Sequence, residues 1–558
     1  MPLELVPTVK SVIRWQERII EVLILLKLTE QCRSLSRNRL LIIVGWLLSI
    51  LAPASLPVLA DSDDEPLTEV LQILYTNDIE SVYAPLPALW RDDMAYIGGL
   101  PKLGTLIKQK RAHQKQTLVF DAGDLFTGAL SKATEGRLAF DLYGVMGYDA
   151  VALGNHEFEY GWETLRHVRQ RASFPLLNAN IFYEDSSIPF GQAYTLFRRG
   201  NVTVAVLGLM GVDAFHNTMM ASHRRGLTIE DPITAARRWV PKLREEADIV
   251  VLLTHQGRTA PMQTDKASDP EVQRGIEEEY RLAGEVPGID LLIAGHTDHG
   301  LLSPVRHERT GTIIVQTFGQ GMHLGVLKVR WSAGQPLQVL SAELTPVNAD
   351  VLPDATSVST LIEEARQAHP DLTEIVGRLE GNAPRRYYRE SVLGNWVADV
   401  IRETAQADIG MITPGALRAD LIAGDVTVEA IKNVFPFLDT IAVVTLSGAE
   451  LISVIEQGLW RAYGLPQYSG LTLTYDLSQP SGERLQSLLV AGEPVKRGRR
   501  YSLATGSFTA GGGEGYTQFE QAEVQPIAGL LADALVASVR AKESIMPPDL
   551  GRQIAIED

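Results

Sequence analysis

Cysteine is almost absent from this chain of 558 residues: the single one is Cys32, in the N-terminal segment. The remaining residues can therefore form neither an internal disulfide nor a thiolate metal site. Any metal ion would have to be bound by histidine, aspartate, glutamate or asparagine side chains. The sequence also lacks internal repeats and low-complexity segments, so nothing in it indicates a fibre or a disordered chain.

Positive charge is scarce as well. The chain has 51 Lys and Arg against 68 Asp and Glu, which gives a formal net charge of −17. An acidic surface repels the phosphate backbone of nucleic acids, so we predict that the protein does not bind polymeric nucleic acid. A small anionic substrate is still compatible with this charge, because a pair of metal ions and a few arginines can reverse the electrostatic field locally.

The N-terminal segment has the order of an export signal. Three arginines precede the uncharged stretch Leu40–Ala60, whose first half is apolar and whose second half contains two prolines, and acidic Asp61 follows. This order predicts cleavage near Ala60 and a periplasmic or cell-surface protein. The alternative is an uncleaved membrane anchor, because 21 uncharged residues can just span a bilayer.

The rest of the chain is long enough for two domains, and its first part alternates between short β-rich runs and helical stretches. This alternation predicts an α/β domain. Beyond it, Ala355–Ala368 favours a helix that connects two domains, Ser391–Ile401 has a helical apolar face, and Ser447 with Glu450 forms a capping-box pattern. The predicted strands of the first part are Val70–Tyr75, Leu118–Phe120, Ala150–Leu153, Val202–Leu209, Ile249–Leu253, Leu291–Ala294 and Ile313–Val315.

Five of these strands end in clusters of side chains that can bind hard metal ions. In an open α/β sheet the loops at the carboxyl ends of the strands meet in one crevice, so we expect a site with two metal ions there. A carboxylate can bridge two cations, while imidazole and amide groups complete each coordination sphere. The cations would lower the pKa of a bound water, which then attacks phosphorus in line. The clusters are Asn77–Glu80, Asp121–Asp124, Gly154–Glu159, Thr254–His255 and Gly295–His299.

The order of these clusters resembles the calcineurin-like metallophosphoesterases, and within them the 5′-nucleotidase and UDP-sugar hydrolase family. The resemblance covers nearly all of the chain from residue 68 onward. It implies that His156 is a catalytic residue, oriented by Glu159, that donates to the phosphoryl group or the leaving oxygen. It further implies one metal ion on Asp78, Glu80, Asp124 and Asp298 and another on Asp124, Asn155, His255 and His296, with Asp124 as the bridge.

Three of these positions depart from the family pattern. Glu80 stands where the family has His, Asp298 where it has His, Gln or Asn, and Glu159 where it has Asp. Each replacement can perform the same kind of task, so we expect a modified site that is still active. Two extra carboxylates favour Mn²⁺ or another hard cation over Zn²⁺ at the first position, and Co²⁺ is a further candidate. His299 is an alternative ligand if Asp298 points away.

Motifs in the second part resemble the C-terminal domain of the same family, which binds the substrate. Arg389 and Arg418 would neutralise a phosphate or carboxylate of the substrate, a role that suits the guanidinium group. Thr413 replaces an Asn of the family, so one substrate contact is altered.

Two phenylalanines in this part, Phe437 and Phe508, would stack on either side of a nucleobase, and Glu514 would replace an Asp that contacts the ribose. Stacking on aromatic faces accepts any base. The alternative is that both phenylalanines belong to the hydrophobic core, as most phenylalanines do.

The resemblance implies a two-sheet sandwich flanked by helices, a connector helix and an α/β substrate-binding domain. The predicted boundaries are 1–60 for the extension and signal, 68–345 and 373–558 for the domains, and 350–370 for the connector.

The predicted activity is hydrolysis of nucleoside 5′-monophosphates with two divalent ions, Mn²⁺, Zn²⁺ or Co²⁺. No obligate protein partner is implied, and a membrane is a partner only if the N-terminal segment is retained.

Two alternatives to this activity stay open. One is a hydrolase with the same metal site that acts on nucleotide sugars, 2′,3′-cyclic nucleotides or a thiosulfate ester. The other is a non-catalytic protein that binds metal and nucleotide.

Overall fold

The computed structural model of the protein describes residues 68–257, 276–298, 300–461 and 463–556. The segment predicted to direct export lies outside these residues, and so does His299. None of the helices within them has the length and apolar content that crossing a bilayer requires.

Strands and helices alternate through the first domain, as the sequence predicts, and all seven predicted strands are observed. The described strands are β1 (Thr68–Thr76), β2 (Leu86–Pro87), β3 (Tyr96–Ile97), β4 (Thr117–Asp121), β5 (Ala150–Ala152), β6 (Leu176–Leu177), β7 (Ile181–Tyr183), β8 (Tyr194–Arg199), β9 (Val202–Met210), β10 (Leu227–Ile229), β11 (Ile249–His255), β12 (Leu291–Gly295), β13 (Val305–Arg306), β14 (Ile313–Val315), β15 (His323–Ser332) and β16 (Gln338–Pro346). The described helices are α1 (Leu100–His113), α2 (Ala129–Ala133), α3 (Arg137–Met146), α4 (Trp162–Val168), α5 (Val212–Asn217), α6 (Pro232–Glu246) and α7 (Glu277–Glu285).

Most of these strands form two six-stranded sheets, with the orders β16-β15-β1-β4-β5-β6 and β13-β14-β12-β11-β9-β8. Strands β1, β4, β5 and β6 run parallel in the first sheet. Strands β9, β11, β12 and β14 run parallel in the second. The carboxyl ends of the parallel strands in each sheet therefore lie at one edge.

The two sheets share a hydrophobic core. Ile73 and Phe120 of the first sheet and Val251 of the second are fully buried members of the same core cluster. Alternate residues on the same strands, such as Leu74 and Val250, belong to the clusters on the other faces of the sheets. Because both faces are buried, these strands read as nearly continuous apolar runs, which is typical of parallel sheets covered on both sides. The two-sheet sandwich implied by the resemblance is confirmed.

A connector helix and a second α/β domain follow. Helix α8 (Thr356–Ala368) corresponds to the predicted connector and packs on α1 and α3 of the first domain. The other described helices are α9 (Val392–Ala405), α10 (Val428–Val434), α11 (Gly448–Gly458), α12 (Ser507–Ala510) and α13 (Leu531–Lys542). The described strands are β17 (Ile375–Leu379), β18 (Ile409–Ile412), β19 (Gly424–Thr427), β20 (Thr440–Ser447), β21 (Gln467–Ser469), β22 (Leu471–Tyr475), β23 (Leu485–Val490), β24 (Glu493–Pro494), β25 (Arg500–Gly506), β26 (Glu523–Leu530), β27 (Ser544–Ile545) and β28 (Gln553–Ala555).

The central sheet of this domain has the order β21-β18-β25-β20-β26, and smaller sheets have the orders β19-β17-β27 and β24-β23-β22-β28. The helix predicted over Ser391–Ile401 and the capping box predicted at Ser447 are both observed. The Ser391 side chain accepts from the Gly394 N–H at the start of α9, and Ser447 and Glu450 form a complete capping box at the start of α11. Such caps satisfy N–H groups that have no partner inside the helix.

Candidate metal centre and substrate cleft

The five predicted clusters meet at one place, because β1, β4, β5, β11 and β12 all end there. Asp124, His255 and His296 come from three different loops, and each offers a ligand atom within 4.8 Å of the others. The Asn155 Oδ1 atom lies 3.0 Å from His255 Nε2. The set predicted for one cation is therefore assembled, although its members lie far apart in the sequence.

His255 is held in the tautomer that a metal ligand needs. Its Nδ1 lies 2.9 Å from the carbonyl oxygen of Ala122, which can only accept a hydrogen bond. The Nδ1–H therefore donates to this carbonyl, which leaves Nε2, facing Asp124 and Asn155, as the ring atom that could bind a metal ion. A hydrogen bond of this kind is the usual way in which a protein orients an imidazole ligand.

Asp124 occupies the centre of the cluster. Its Oδ1 accepts from the His156 N–H at 2.8 Å, and its Oδ2 lies 3.0 Å from His255 Nε2. Burial opposes the charged form of His255, but the charge of Asp124 raises the pKa of His255 to about 10. Burial likewise opposes the charge of Asp124, but the charges of His255 and then His156 lower the pKa of this carboxyl below its usual range.

The other predicted cation position is lined by carboxylates. Asp78 accepts from the His296 N–H at 2.9 Å, while Glu80 and Asp298 lie close enough to interact electrostatically. Burial, followed by the charge of Asp298, raises the pKa of Asp78 well above its usual range. Burial, followed by the charge of Glu80, does the same to the pKa of Asp298. Burial and the neighbouring carboxylates therefore both disfavour the charged forms of Asp78 and Asp298.

Three side-chain atoms in this cluster are buried without a hydrogen-bond partner: Glu80 Oε2, Asp298 Oδ1 and His296 Nε2. Burial, and then the charge of His255, lower the pKa of His296 to about 3, so its imidazole is neutral. Buried polar atoms without a partner are costly, and a pair of divalent cations would satisfy all three. The donor set of carboxylates, imidazoles and one amide thus fits a pair of divalent ions.

The backbone of these loops adopts a conformation that non-glycine residues rarely take. Asp78, Glu80, Asp124, His296 and Asp298 all have φ between 49° and 77°. This left-handed conformation costs about 1–3 kcal/mol for each residue and persists only where the surroundings enforce it. Its concentration at the predicted ligands indicates a functional site.

His156 lies at the edge of the cluster, next to its predicted partner. The His156 Nδ1 atom is 3.5 Å from Glu159 Oε1 and 3.2 Å from the Thr127 hydroxyl. That hydroxyl in turn donates to Glu159 at 3.2 Å. Burial opposes the charged form of His156, yet the charges of Asp124 and Glu159 raise its pKa to about 9. Thr127 is a residue that the sequence motifs did not indicate, because it follows the Asp121–Asp124 cluster without belonging to it.

Glu80 has a second partner in the other domain. One of its carboxylate oxygens, Oε1, accepts from Arg418 Nη1 and lies 3.5 Å from His156 Nε2. The Arg418 guanidinium also lies over the Phe437 ring, 5.5 Å from its centroid. The predicted substrate arginine is therefore in direct contact with a predicted metal ligand.

A single cleft is lined by both domains. Along with six of the seven predicted metal ligands, all except His255, it contains five predicted substrate residues: Thr413, Arg418, Phe437, Phe508 and Glu514. Phe437 and Phe508 are only half-buried, unlike the neighbouring core residue Phe435. Further residues of the cleft that the sequence analysis missed include Asp439, Tyr387, Tyr463, Met219 and His223.

Arg389 is not among the residues that line this cleft, so its role in substrate binding stays a prediction. Arg389 is exposed, because it lies just before α9 and its carbonyl is tied to the Gln467 side chain at 3.0 Å. Arg385, four residues earlier, is buried instead and donates to Gln320 at 2.7 Å. It interacts electrostatically with Glu80 and Asp298.

Comparison with known proteins agrees with this architecture. Residues 71–299 match the family model of the calcineurin-like phosphoesterases, and residues 374–521 match that of the C-terminal domain of 5′-nucleotidase. Protein UshA of Yersinia enterocolitica is 26% identical over 499 residues, which cover 81% of this chain and 87% of that protein. A 5′-nucleotidase of Vibrio cholerae is 25% identical over 501 residues, with 80% and 86% covered.

The fold is also that of a solved structure. The 5′-nucleotidase precursor from Thermus thermophilus superposes with a TM-score of 0.76 at 23% identity, over 88% of this chain and 100% of that one. Both family models and the fold agree on a phosphoesterase domain followed by a 5′-nucleotidase C-terminal domain. The chain belongs to the 5′-nucleotidase family of calcineurin-like phosphoesterases.

Proposed function

We propose that this protein is a metal-dependent hydrolase that releases phosphate from nucleoside 5′-monophosphates. The observation that carries the proposal is the shared cleft, in which the metal-ligand cluster faces Arg418, Phe437 and Phe508. A nucleotide has a phosphate at one end and an aromatic base at the other, so this pairing of features suits it. The relative from Vibrio cholerae named as a 5′-nucleotidase supports the same assignment.

Seven residues would hold the two divalent ions. Bound there, the ions would supply Lewis acidity that polarises the phosphoryl group and makes water a better nucleophile. Hard oxygen donors at the first position favour Mn²⁺, while the two imidazoles at the second also suit Zn²⁺ or Co²⁺. Asp78, Glu80, Asp124 and Asp298 form the first set, and Asp124, Asn155, His255 and His296 form the second.

His156 would act on the leaving oxygen of the substrate. Its Nε2 faces the cluster, 3.5 Å from Glu80 Oε1 and 3.9 Å from Asp124 Oδ2. When the Thr127 hydroxyl donates to Glu159, its oxygen is left to accept from His156 Nδ1–H. This arrangement orients the imidazole so that Nε2–H can donate to the oxygen on which negative charge develops.

The second domain would bind the nucleoside. Phe437 and Phe508 would stack on the base, and Glu514 would accept from ribose hydroxyls. Burial raises the pKa of Glu514 to about 7, and the hydrogen bond from Thr413 opposes that shift. Arg418, which lines the cleft, would contact the phosphate. Because Arg418 is paired with Glu80, less positive charge faces the substrate, which favours monophosphates over more anionic nucleotides.

The first prediction concerns activity. We expect the purified protein to release phosphate from AMP, GMP and UMP with Mn²⁺, to lose this activity with a chelator, and to regain it with Mn²⁺, Zn²⁺ or Co²⁺. His156→Asn should lower kcat by about 10²–10⁴-fold, because a positioned general acid contributes that much.

Phosphate release is measured on the three nucleotides beside a nucleotide sugar, a 2′,3′-cyclic nucleotide and a thiosulfate ester. A protein that binds metal but leaves all three monophosphates intact would refute the nucleotidase assignment. Cleavage restricted to one of the other esters would support the alternative substrate.

The second prediction concerns metal binding and stability. Mn²⁺ should raise the melting temperature over that in chelator, because an ion at one hundred times its Kd stabilises the folded state by about 2.7 kcal/mol. Asp124→Asn should abolish most of this increase. The matched control is Asp92→Asn, at an exposed aspartate. This variant should show the same Mn²⁺-dependent rise in melting temperature as the wild-type protein. Identical melting curves with Mn²⁺ and with chelator would contradict the proposed metal site.

The third prediction concerns the nucleobase. Phe437→Ala and Phe508→Ala should each raise KM for AMP by about 5–150-fold, because base stacking contributes about 1–3 kcal/mol. KM for ribose 5-phosphate, which has no base, should hardly change. Phe182→Ala is the control, since Phe182 is half-buried and lies away from the cleft. Equal effects on both substrates would mean that the two rings are structural.

The fourth prediction concerns export, since the role of residues 1–60 stays a prediction. The full chain expressed in a bacterial host should be recovered from the periplasm with an N-terminus near Asp61, as read by mass spectrometry of the terminal peptide. Recovery of the intact chain in the membrane fraction would support the anchor instead.

A further inference from the structure

Glu157 is a buried carboxylate beside the metal centre that has no role in the proposed reaction. It lies between His156 and Phe158 in a single turn of 3-10 helix and is 1% exposed. Its side chain accepts three hydrogen bonds, all from backbone N–H groups: two from the adjacent loop and one from its own loop.

These three bonds join two ligand-bearing loops. Glu157 Oε1 accepts from Leu125 N–H at 2.6 Å, and Oε2 accepts from Asp124 N–H at 3.1 Å. Both donors belong to the loop after β4, which carries the bridging residue Asp124. The third donor is Gly154 N–H, at 2.6 Å, in the loop after β5 that carries Asn155.

The connection between these loops is reciprocal and close. The Asp124 side chain accepts from the His156 N–H at 2.8 Å. A carboxylate of each loop therefore accepts a hydrogen bond from the backbone of the other loop. A Cβ on Gly154 would lie 2.3 Å from Asp124 Oδ1, so only glycine allows this approach. Asp124 also has a left-handed φ of 64°, a conformation that needs support from its surroundings.

We propose that Glu157 is a positioning residue that fixes the distance and orientation of Asp124 relative to Asn155, and thereby sets the affinity of the metal centre. The inference rests on the proposed two-cation site. An ionised carboxylate has only acceptors and can therefore receive all three N–H groups. Hydrogen-bond partners behind metal ligands typically change metal affinity or activity by about 10–100-fold when they are replaced.

The decisive variant is Glu157→Gln, which keeps the size of the side chain and replaces one acceptor oxygen by an NH₂ group. Whichever way the amide is turned, it places a donor against at least one backbone N–H. A matched control exists in the second domain. Glu456, on α11, is also buried and accepts from the N–H groups of Arg484 and Leu485, but it does not line the cleft.

The experiment measures Co²⁺ binding to the full-length protein by titration, together with the visible absorption of bound Co²⁺ and the melting temperature of the metal-free protein. We expect Glu157→Gln and Glu456→Gln to lower the melting temperature alike. Only Glu157→Gln should weaken Co²⁺ binding, by about 10–100-fold, and change the visible spectrum, which reports ligand geometry directly. If Glu157→Gln does not yield folded protein, Glu157→Asp is measured under the same criteria, because the shorter side chain keeps its charge but cannot span both loops.

Wild-type affinity and spectrum in the Glu157 variant would overturn the inference while leaving the proposed function intact. Equal loss of Co²⁺ affinity in the Glu456 variant would also overturn it, because the effect would then reflect general destabilisation. Absence of Co²⁺ binding by the wild-type protein would instead refute the metal site on which the proposed function depends.

Discussion

Mutual repulsion among buried carboxylates is the constraint on which the rest of this structure depends. Asp78, Glu80, Asp124, Glu157 and Asp298 lie together at the end of two sheets, and none is more than 5% exposed. Two like charges roughly 4 Å apart repel by about 4 kcal/mol at an effective dielectric constant of about 20. Hydrogen-bond donors can offset part of this cost, as they do at Glu157, but Glu80 and Asp298 each have a buried oxygen atom without such a partner. The arrangement is therefore one that divalent cations stabilise.

The surrounding fold supplies the rigidity that such a cluster needs. Parallel strands buried on both faces fix where each loop begins, and the loops then turn sharply through left-handed residues. Gly123 and Gly154 allow the loops to approach so closely that a Cβ on Gly123 would lie 2.7 Å from Gly154 N. The free energy spent on these conformations has to come from the hydrophobic core between the sheets, which is the largest favourable contribution available.

Those parts of the molecule that local sequence determines could be predicted. The strands are apolar runs, and the ligands follow directly at their ends, so an α/β domain and the grouping of Asp78, Asp124, Asn155, His255 and His296 could be predicted from spacing and the properties of parallel sheets. The two-sheet sandwich is implied only by the family resemblance. The burial of Arg385 next to the carboxylates could not be predicted, because none of the sequence motifs includes this residue and its charged neighbours Glu80 and Asp298 are far from it in the sequence. Nor could the pairing of Glu80 with Arg418, since a contact between residues 338 positions apart has no local signal.

Because Glu80 is paired with Arg418, both domains contribute to the charge balance of the metal site. Glu80 belongs to the loop after β1, and Arg418 to the second domain. Gln320 of the first domain donates to the Arg418 carbonyl at 2.9 Å and accepts from Arg385 at 2.7 Å. Two guanidinium groups from the second domain thus balance part of the negative charge that the first domain concentrates. A metal-binding domain isolated from its partner would lose this compensation and keep the repulsion, so the charge balance of the site itself requires the two domains to meet.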